Sequence, residues 1–137
     1  MEQIEFNIIM RKPEYPVIVI SAERLYSAFN INQLARSCIS STPIEGKSII
    51  QVIDSTGEEF WYSPKQYVLS PGFSFKKWTK KQLIEMFNNS SNAKSQIQEY
   101  SAKSLSSKRL EKIVGDICEL LKSSSSHLPD GKKPRRR

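Results

Sequence analysis

The first twenty residues contain two apolar patterns that are typical of β-strands. Ile4, Phe6 and Ile8 alternate with polar residues, and this period of two predicts a half-buried strand over residues 3–10. The continuous β-branched run at residues 17–20 predicts a second, more central strand. Two prolines mark a loop between them. We expect the two strands to pair as an antiparallel hairpin.

Apolar residues with a helical spacing follow the second strand. Ser21 suits the N-cap position of a helix over residues 22–29, with Leu25 and Phe29 on one face. Asn32 can begin a second short helix. Its apolar face would consist of Leu34, Ala35, Cys38 and Ile39. We therefore expect two short helices to be inserted after the second strand.

The region from Ile49 to Asn89 contains the greatest concentration of apolar side chains, and we expect the core to form there. Residues 49–53 and 58–62 predict a β-hairpin. Asp54 suits the first position of its turn, and Gly57 suits a position with positive φ.

Seven of the thirteen aromatic residues lie between Phe60 and Trp78, around a short strand predicted at residues 67–69. Within the hairpin, Trp61 would lie on the face opposite to Phe60. We expect the inserted helices or the Trp78 region to cover it, because aromatic side chains mostly bury. Alternatively, Trp61 with Tyr67 nearby could stack on nucleic-acid bases or anchor a protein partner.

Three helices are predicted after the sheet. Thr79 and Gln82 match the capping box that begins a helix over residues 80–88. A weaker helix would cover about 92–102, and a last helix would begin near 106 and run to about 122. The apolar face of the last helix would consist of Leu110, Ile113, Val114, Ile117, Cys118 and Leu121.

These elements predict an α+β fold with a small antiparallel sheet of four or five strands, two inserted short helices and a C-terminal three-helix segment. Residues 1–122 would form a single domain, as the length of 137 residues suggests. Residues 123–137 are serine-rich and then basic, with almost no apolar side chains, which predicts a disordered tail.

Several features favour a cytoplasmic protein without a membrane partner. No apolar run approaches the roughly 18 residues of a membrane span. The first five residues include two glutamates, where a secretion signal needs positive charge. Cys38 and Cys118 belong to no CxxC pair, so we interpret them as buried, reduced thiols.

Positive charge is concentrated in the C-terminal half of a chain whose net charge is +7. Residues 1–60 contain five Lys/Arg and eight Asp/Glu, whereas residues 61–122 contain eleven and five. The tail contains five and one. This asymmetry favours an anionic partner, although a solvated lysine-rich surface gives the same composition.

Four lysines surround the start of the capped helix, namely Lys76, Lys77, Lys80 and Lys81. Positive charge at a helix N-terminus opposes the helix dipole, so these lysines do not serve helix stability. A phosphate would give them a role, because helix amides and lysines can bind it together. An ordinary solvated helix face is the alternative.

The last three predicted helices have the outline of a helix-turn-helix, whose final helix enters the major groove of DNA. The candidate contacts are Ser107, Lys108, Arg109 and Lys112. The turn lacks the usual glycine and its linker is long, so three-helix packing without DNA is the alternative. The tail adds a basic cluster made of Lys132, Lys133, Arg135, Arg136 and Arg137. That cluster could add salt-sensitive phosphate contacts, resemble a nuclear-localisation signal, or only solubilise the chain.

The sequence contains no convincing catalytic motif. The only histidine, His127, lies in the tail, which leaves the body without an imidazole base or a zinc-binding cluster. Residues 41–48 resemble a phosphate-binding loop, but a helix precedes them and a strand follows, which reverses the required context. Ser74 and Lys77 match an S-x-x-K pattern without its companion motifs. We expect no enzyme activity, cofactor, metal or small-molecule substrate.

The sequence therefore predicts a small non-enzymatic binding protein whose basic C-terminal half contacts DNA or RNA. The alternative is a protein–protein adaptor or accessory subunit that docks through its sheet and last helix. Nucleic-acid binding requires the cations to converge on one face. An adaptor requires an exposed apolar patch or an unpaired sheet edge.

Overall fold

The computed structural model describes residues 5–72, 77–95 and 108–125. These residues form an α+β fold with one six-stranded mixed sheet and four helices. The strands are β1 Asn7–Ile8, β2 Val17–Ile20, β3 Leu25–Ala28, β4 Ile50–Ile53, β5 Glu59–Ser63 and β6 Val68–Pro71. The helices are α1 Ile31–Ser40, α2 Lys80–Asn88, α3 Ser91–Ser95 and α4 Leu110–Ser125.

The strand order is β1-β6-β5-β4-β2-β3. Every neighbouring pair is antiparallel except β1 and β6, which are parallel. The hairpin of β4 and β5 and the following strand β6 confirm three of the predicted strands. The sheet has one strand more than predicted and is mixed, not purely antiparallel.

The predicted hairpin between the first two strands is wrong, because β1 pairs with β6 while β2 pairs with β3 and β4. Residues 9–16 carry the chain across the end of the sheet instead. The Glu14 amide donates to Asp54 Oδ2 at 3.1 Å, and the Ser55 amide donates to the Glu14 carbonyl at 2.9 Å. β1 and β2 are four strand spacings apart in the sheet, or about 19 Å. Eight extended residues are long enough to cover this distance.

The predicted helix over residues 22–29 is also wrong, because residues 25–28 form strand β3. A tight turn closed by the Ser21 amide and the Arg24 carbonyl, at 3.0 Å, returns the chain alongside β2. Leu25 packs on one face of the sheet while Ala28 packs on the other. The segment therefore contributes buried side chains to both faces of the sheet. A strand can do this because its side chains alternate between the two faces, whereas a helix with one apolar face cannot.

The second inserted helix is confirmed as α1, although it begins two residues before the predicted start. Asn30, and not Asn32, is the N-cap, and its side chain accepts from the Gln33 amide at 2.9 Å. Leu34, Ala35 and Cys38 are buried as predicted, whereas Ile39 is exposed.

The helices after the sheet follow the prediction in part. The box formed by Thr79 and Gln82 caps α2 as predicted. The weaker helix is described only as α3, since residues 96–107 lie outside the described ranges. The last helix begins at Leu110 and continues to Ser125, so residues 123–125 of the predicted tail are helical. Residues 126–137, which hold the rest of that tail, are not among the described residues.

The sheet separates two clusters of buried side chains. Helix α1 packs on the first face, which we call the α1 face, together with Phe60, Tyr62 and Leu69. Helices α2, α3 and α4 pack on the opposite face, the α4 face. The contacts of α1 and α4 with the sheet concentrate on β2 and β3, towards one edge. On the α4 face, a half-buried row of Gln51, Trp61 and Ser70 crosses the middle strands.

Candidate nucleic-acid interface

The turn between β4 and β5 is built around a buried carboxylate. Asp54 is 1% exposed, and its Oδ1 accepts from the Thr56 amide and from the Glu58 amide at 2.9 and 3.0 Å. The Thr56 hydroxyl also donates to Oδ1, at 2.6 Å, while Oδ2 accepts from the Glu14 amide. These four hydrogen bonds satisfy the carboxylate and connect it to both ends of the turn and to the Glu14 segment. Asp54 therefore has a structural role.

The same turn fixes the starts of two helices. Gly57 has φ +89°, and its carbonyl accepts from the Trp78 amide at 2.8 Å, directly before the α2 N-cap. A Cβ atom at Gly57 would lie 3.0 Å from the Trp78 carbonyl oxygen and 3.2 Å from a methyl group of Leu110, the first residue of α4. The lack of a side chain at Gly57 lets both helices begin close to the turn.

The starts of α2 and α4 are in direct contact. Lys80 Nζ donates to the carbonyl oxygen of Lys108 at 3.0 Å, which joins two basic segments that lie 28 residues apart in the sequence. We call this surface the basic end. It consists of Lys77, Lys80, Lys81, Lys108, Arg109 and Lys112.

One carboxylate, that of Asp116, pairs with two of these lysines. Lys108 Nζ lies 2.7 Å from Asp116 Oδ2, and Lys112 Nζ lies 3.1 Å from Asp116 Oδ1. Arg11 pairs with Glu58 beside the same turn. These pairs are partly exposed, so each contributes little to stability, and a phosphate can compete for the cations. Lys77, Lys81 and Arg109 are exposed.

The two helix starts differ in how their amides are capped. In α2, the Thr79 hydroxyl accepts from the Gln82 amide and the Gln82 side chain accepts from the Thr79 amide. In α4, the first intrahelical bond runs from the Ile113 amide to the Arg109 carbonyl at 3.1 Å. The Arg109 side chain has no acceptor atom, so it cannot cap the first-turn amides of α4. The N-terminus of α4 therefore places the cations of Lys108, Arg109 and Lys112 beside the positive end of a helix dipole.

The structure brings together six of the thirteen predicted contact residues. Lys76, Ser107 and the five tail cations lie outside the described residues. The helix-turn-helix stays a prediction, because its turn also lies outside the described residues. The apolar side of α4 is packed against β2 and β3, and its exposed side carries Glu111 and Glu119 as well as Lys112.

A second cluster, which sequence reasoning missed, centres on Glu59. Its Oε2 accepts from Trp61 Nε1 at 2.6 Å and from Gln51 Nε2 at 3.1 Å, and its Oε1 accepts from Trp78 Nε1 at 2.9 Å. Burial alone would raise the pKa of Glu59. The three hydrogen bonds and the positive charge of Lys47 outweigh burial and lower that pKa, so the carboxylate stays ionised at neutral pH.

This cluster could have been found from the register of the hairpin. Glu59 and Trp61 are two residues apart in one strand, so they share a face, and Gln51 lies directly opposite Trp61. The contribution of Trp78 could not have been found in this way, since it depends on the path of the chain after β6.

Trp61 is half-buried and lies on the α4 face, opposite Gln51. Its Nε1 would lie 2.8 Å from a Cβ atom at Gly72, so the backbone of Gly72 closes one side of the indole. Of the two regions expected to cover Trp61, α1 lies on the other face of the sheet, whereas Trp78 lies near Trp61 and binds the same carboxylate of Glu59. Tyr67 lies close to Tyr62, whose pKa is raised by burial and by the charges of Cys38 and Tyr67. Tyr67 therefore lies towards the α1 face.

The two cysteines and the possible metal ligands were predicted to have no catalytic or metal-binding role. Burial raises the pKa values of the Cys38 and Cys118 thiols, so neither is a ready thiolate. No group of three or more His, Cys, Asp or Glu side chains within the described ranges could hold a metal ion. Among the helices described, none has the length and apolar character needed to cross a membrane.

Comparison of the chain with protein-family models, curated proteins and solved structures finds no match.

Proposed function

We propose that this protein binds nucleic acid through the basic end. The observation that carries the proposal is the hydrogen bond from Lys80 Nζ to the Lys108 carbonyl, which brings the two basic helix starts together. Six cations from separate parts of the sequence then lie at one end of the molecule. Nucleic-acid binding requires cations to converge on one surface, and the contact between Lys80 and Lys108 supports the proposal in this respect.

The arrangement suits the phosphate backbone better than base edges. Lysines act as point charges that attract phosphates without reading sequence. The positive ends of the α2 and α4 helix dipoles also favour an anion at this surface. Base-specific contacts are made most often by arginine, and five of the six cations of the basic end are lysines. The proposal is therefore for binding with little sequence preference.

Charge-reversal variants of the full chain test this proposal. The substitutions Lys77→Glu, Lys81→Glu and Arg109→Glu change three exposed cations of the basic end. The matched control changes Arg36, Lys65 and Lys94 to Glu, which alters the net charge equally on other exposed parts of the chain. Fluorescence anisotropy with a random-sequence 20-mer should show binding weakened at least tenfold by the first triple and less than threefold by the second.

The tail needs its own control, since it is also cationic. In a third variant, Lys132, Lys133, Arg135, Arg136 and Arg137 are changed to Gln. The proposal requires this variant to keep measurable binding that the basic-end triple then abolishes. If neutralising the tail alone removes all binding, the basic end is not the interface.

An adaptor function is the second candidate, and the β1 edge is the observation that favours it. β1 lies at the end of the sheet, with the exposed side chains of Ile9 and Met10 following it. Met10 is 86% exposed and has φ +72°, a strained conformation for a residue with a side chain. Exposed apolar residues beside a sheet edge suit an added strand from a partner.

The predicted docking surface of the adaptor also included the last helix, α4. Its apolar residues are buried against the sheet, with Ile113, Val114 and Ile117 each at 0% exposure. A double substitution of Ile9 and Met10 to Ser tests the adaptor directly. If the edge binds a partner, the variant loses that partner in a co-purification experiment while it keeps nucleic-acid affinity.

A further inference from the structure

The ion pair of Arg11 and Glu58 joins the N-terminal part of the chain to the basic end. Arg11 belongs to residues 9–16, the segment that crosses the end of the sheet from β1 to β2. Its guanidinium pairs with the carboxylate of Glu58, the residue directly before β5. The turn between β4 and β5, which fixes the starts of α2 and α4, therefore also holds a cation from a third segment of the chain.

The first residue of the basic end lies beside this ion pair. Glu58 and Lys77 form an antiparallel β-bridge. Residues that face each other in such a bridge carry their side chains on the same side, about 5 Å apart at Cβ. The side chains of Lys77 and Arg11 therefore both lie next to the Glu58 carboxylate.

The position of Glu58 shows how the cations are arranged around the sheet. Glu59 shares a face with Trp61, the α4 face, and side chains alternate along a strand, so Glu58 points towards the α1 face. Tyr15, from the same crossing segment as Arg11, packs against the cluster on the α1 face. The positive surface thus continues around the end of the sheet, from the helix starts on the α4 face to Arg11.

The Arg11 side chain is accessible to a ligand. It is 56% exposed, whereas the Glu58 side chain is 23% exposed. An ion pair with this much contact with water contributes little to stability, because solvent screens it. Exchanging Glu58 for another anion therefore costs the fold little.

A phosphate is a better partner than Glu58 for this guanidinium. Arginine presents a planar fork of N–H groups that can bind two oxygens of one phosphate. Glu58 is not left without a neighbouring cation by the exchange, since Lys77 faces it. The six cations of the basic end include one arginine, Arg109, and Arg11 adds a second.

We infer that Arg11 is a further nucleic-acid contact, which exchanges the Glu58 carboxylate for a phosphate of the bound strand. This inference rests on the proposed function and extends its surface across the end of the sheet. It assigns a binding role to a residue from the first sixty, whose charge balance is negative. The recognised group is the phosphodiester, so both DNA and RNA qualify.

The first test neutralises Arg11 in the full chain. Arg11→Gln is compared with Arg36→Gln, which removes the same charge from the exposed side of α1. Anisotropy with the random-sequence 20-mer is measured at several salt concentrations. Arg11→Gln should weaken binding at least threefold and reduce the magnitude of the salt slope by about 0.7–0.9, the share of one phosphate contact. Arg36→Gln should change the affinity less than twofold and leave the slope as it is; if the two variants behave alike, the inference is overturned.

The second test separates a phosphate contact from a structural role. If Arg11 acted only by holding the crossing segment on Glu58, then Glu58→Gln would break the same pair and weaken binding as Arg11→Gln does. If Arg11 binds a phosphate, Glu58→Gln removes its competitor and should tighten binding at least twofold relative to the control Glu45→Gln, another exposed-loop carboxylate. Binding by Glu58→Gln that is no tighter than by Glu45→Gln contradicts the inference. Thermal unfolding shows whether each variant is folded, and this second comparison decides if Arg11→Gln is not.

The failure of this inference differs from the failure of the proposed function. If the triple Lys77→Glu, Lys81→Glu and Arg109→Glu weakens binding while Arg11→Gln matches its control, Arg11 is not a contact and the proposed function stands. If the parent chain binds no oligonucleotide at low salt, both are overturned.

Discussion

At the scale of single residues, the molecule depends on a few polar groups with complete sets of partners. Asp54 uses both carboxylate oxygens to hold the β4–β5 turn, and Glu59 uses both to hold two indoles. Their roles differ because Asp54 is buried within a turn, while Glu59 faces the row of polar and aromatic side chains on the sheet. The candidate interface is positioned by the first.

Gly57 should be far less tolerant of substitution than Gly46. Both have positive φ, at +89° and +87°, so Ala costs roughly 1–2 kcal/mol at either position. At Gly57 the new Cβ would also meet the Trp78 carbonyl at 3.0 Å, whereas at Gly46 it meets nothing within 4 Å. We expect Gly57→Ala to destabilise the fold by about 1–3 kcal/mol more than Gly46→Ala in urea denaturation. Equal effects would show that the two helix starts do not pack on the turn.

The ionised state of Glu59 should make stability depend on pH. The pKa of Glu59 is lowered in the folded chain from its ordinary value of 4.5, so its contribution is fully present above about pH 5 and is lost as pH falls through the folded value. Glu59→Gln should therefore be less stable than the parent at pH 7. The difference should shrink steadily below pH 4.5. Chemical denaturation at several pH values measures it, and a difference that is independent of pH would contradict the assignment.

At the scale of elements, β3 is the part that sequence reasoning placed in the wrong class. Its backbone is completed by a side chain from a distant helix, since Asn92 Oδ1 accepts from the Leu25 amide at 2.8 Å and Asn92 Nδ2 donates to the Leu25 carbonyl at 3.2 Å. Asn92 thus provides the hydrogen-bond acceptor and donor that a neighbouring strand would provide to Leu25. The helix α3 that carries Asn92 is anchored to the sheet in the same way.

Replacing Asn92 should destabilise the fold at the β3 edge of the sheet. Asn92 is 6% exposed, so Asn92→Ala leaves the buried amide of Leu25 without this partner and the Leu25 carbonyl with the Arg24 Nε donor at 3.3 Å, at a cost of about 1–3 kcal/mol. Asn89→Ala, at the exposed C-cap of α2, should change stability by less than about 0.5 kcal/mol. Denaturation midpoints of the two variants decide the comparison. A mild effect at Asn92 would mean that β3 does not need this pairing.

Local signals in the sequence were sufficient where they agreed with the tertiary structure. The capping box of α2, the turn residues Asp54 and Gly57, and the β-branched run of β2 each predicted the right element. Leu25 and Phe29 misled because their spacing fits a helix face, while the fold uses residues 25–28 on both faces of a sheet. The position of β1 beside β6 could not be predicted, since it depends on bonds between residues 9–16 and the Asp54 turn.

At the scale of the whole molecule, the sheet sets the location of the candidate interface. The β4–β5 turn projects from one end, and Gly57 holds the starts of α2 and α4 against it. The basic segments around Lys80 and Lys108 are separate in sequence, and the sequence alone could name them without showing that they touch. The structure adds that contact and the Glu59 cluster beside it.

The central claim is that the basic end binds phosphates, and the salt dependence of binding tests it most directly. Each phosphate contact contributes about 0.7–0.9 to the slope of log affinity against log salt. We expect the triple Lys77→Glu, Lys81→Glu and Arg109→Glu to reduce the magnitude of that slope by about two, while the matched triple at Arg36, Lys65 and Lys94 leaves it unchanged. If both triples change the slope equally, only overall charge matters and the basic end is not the binding surface.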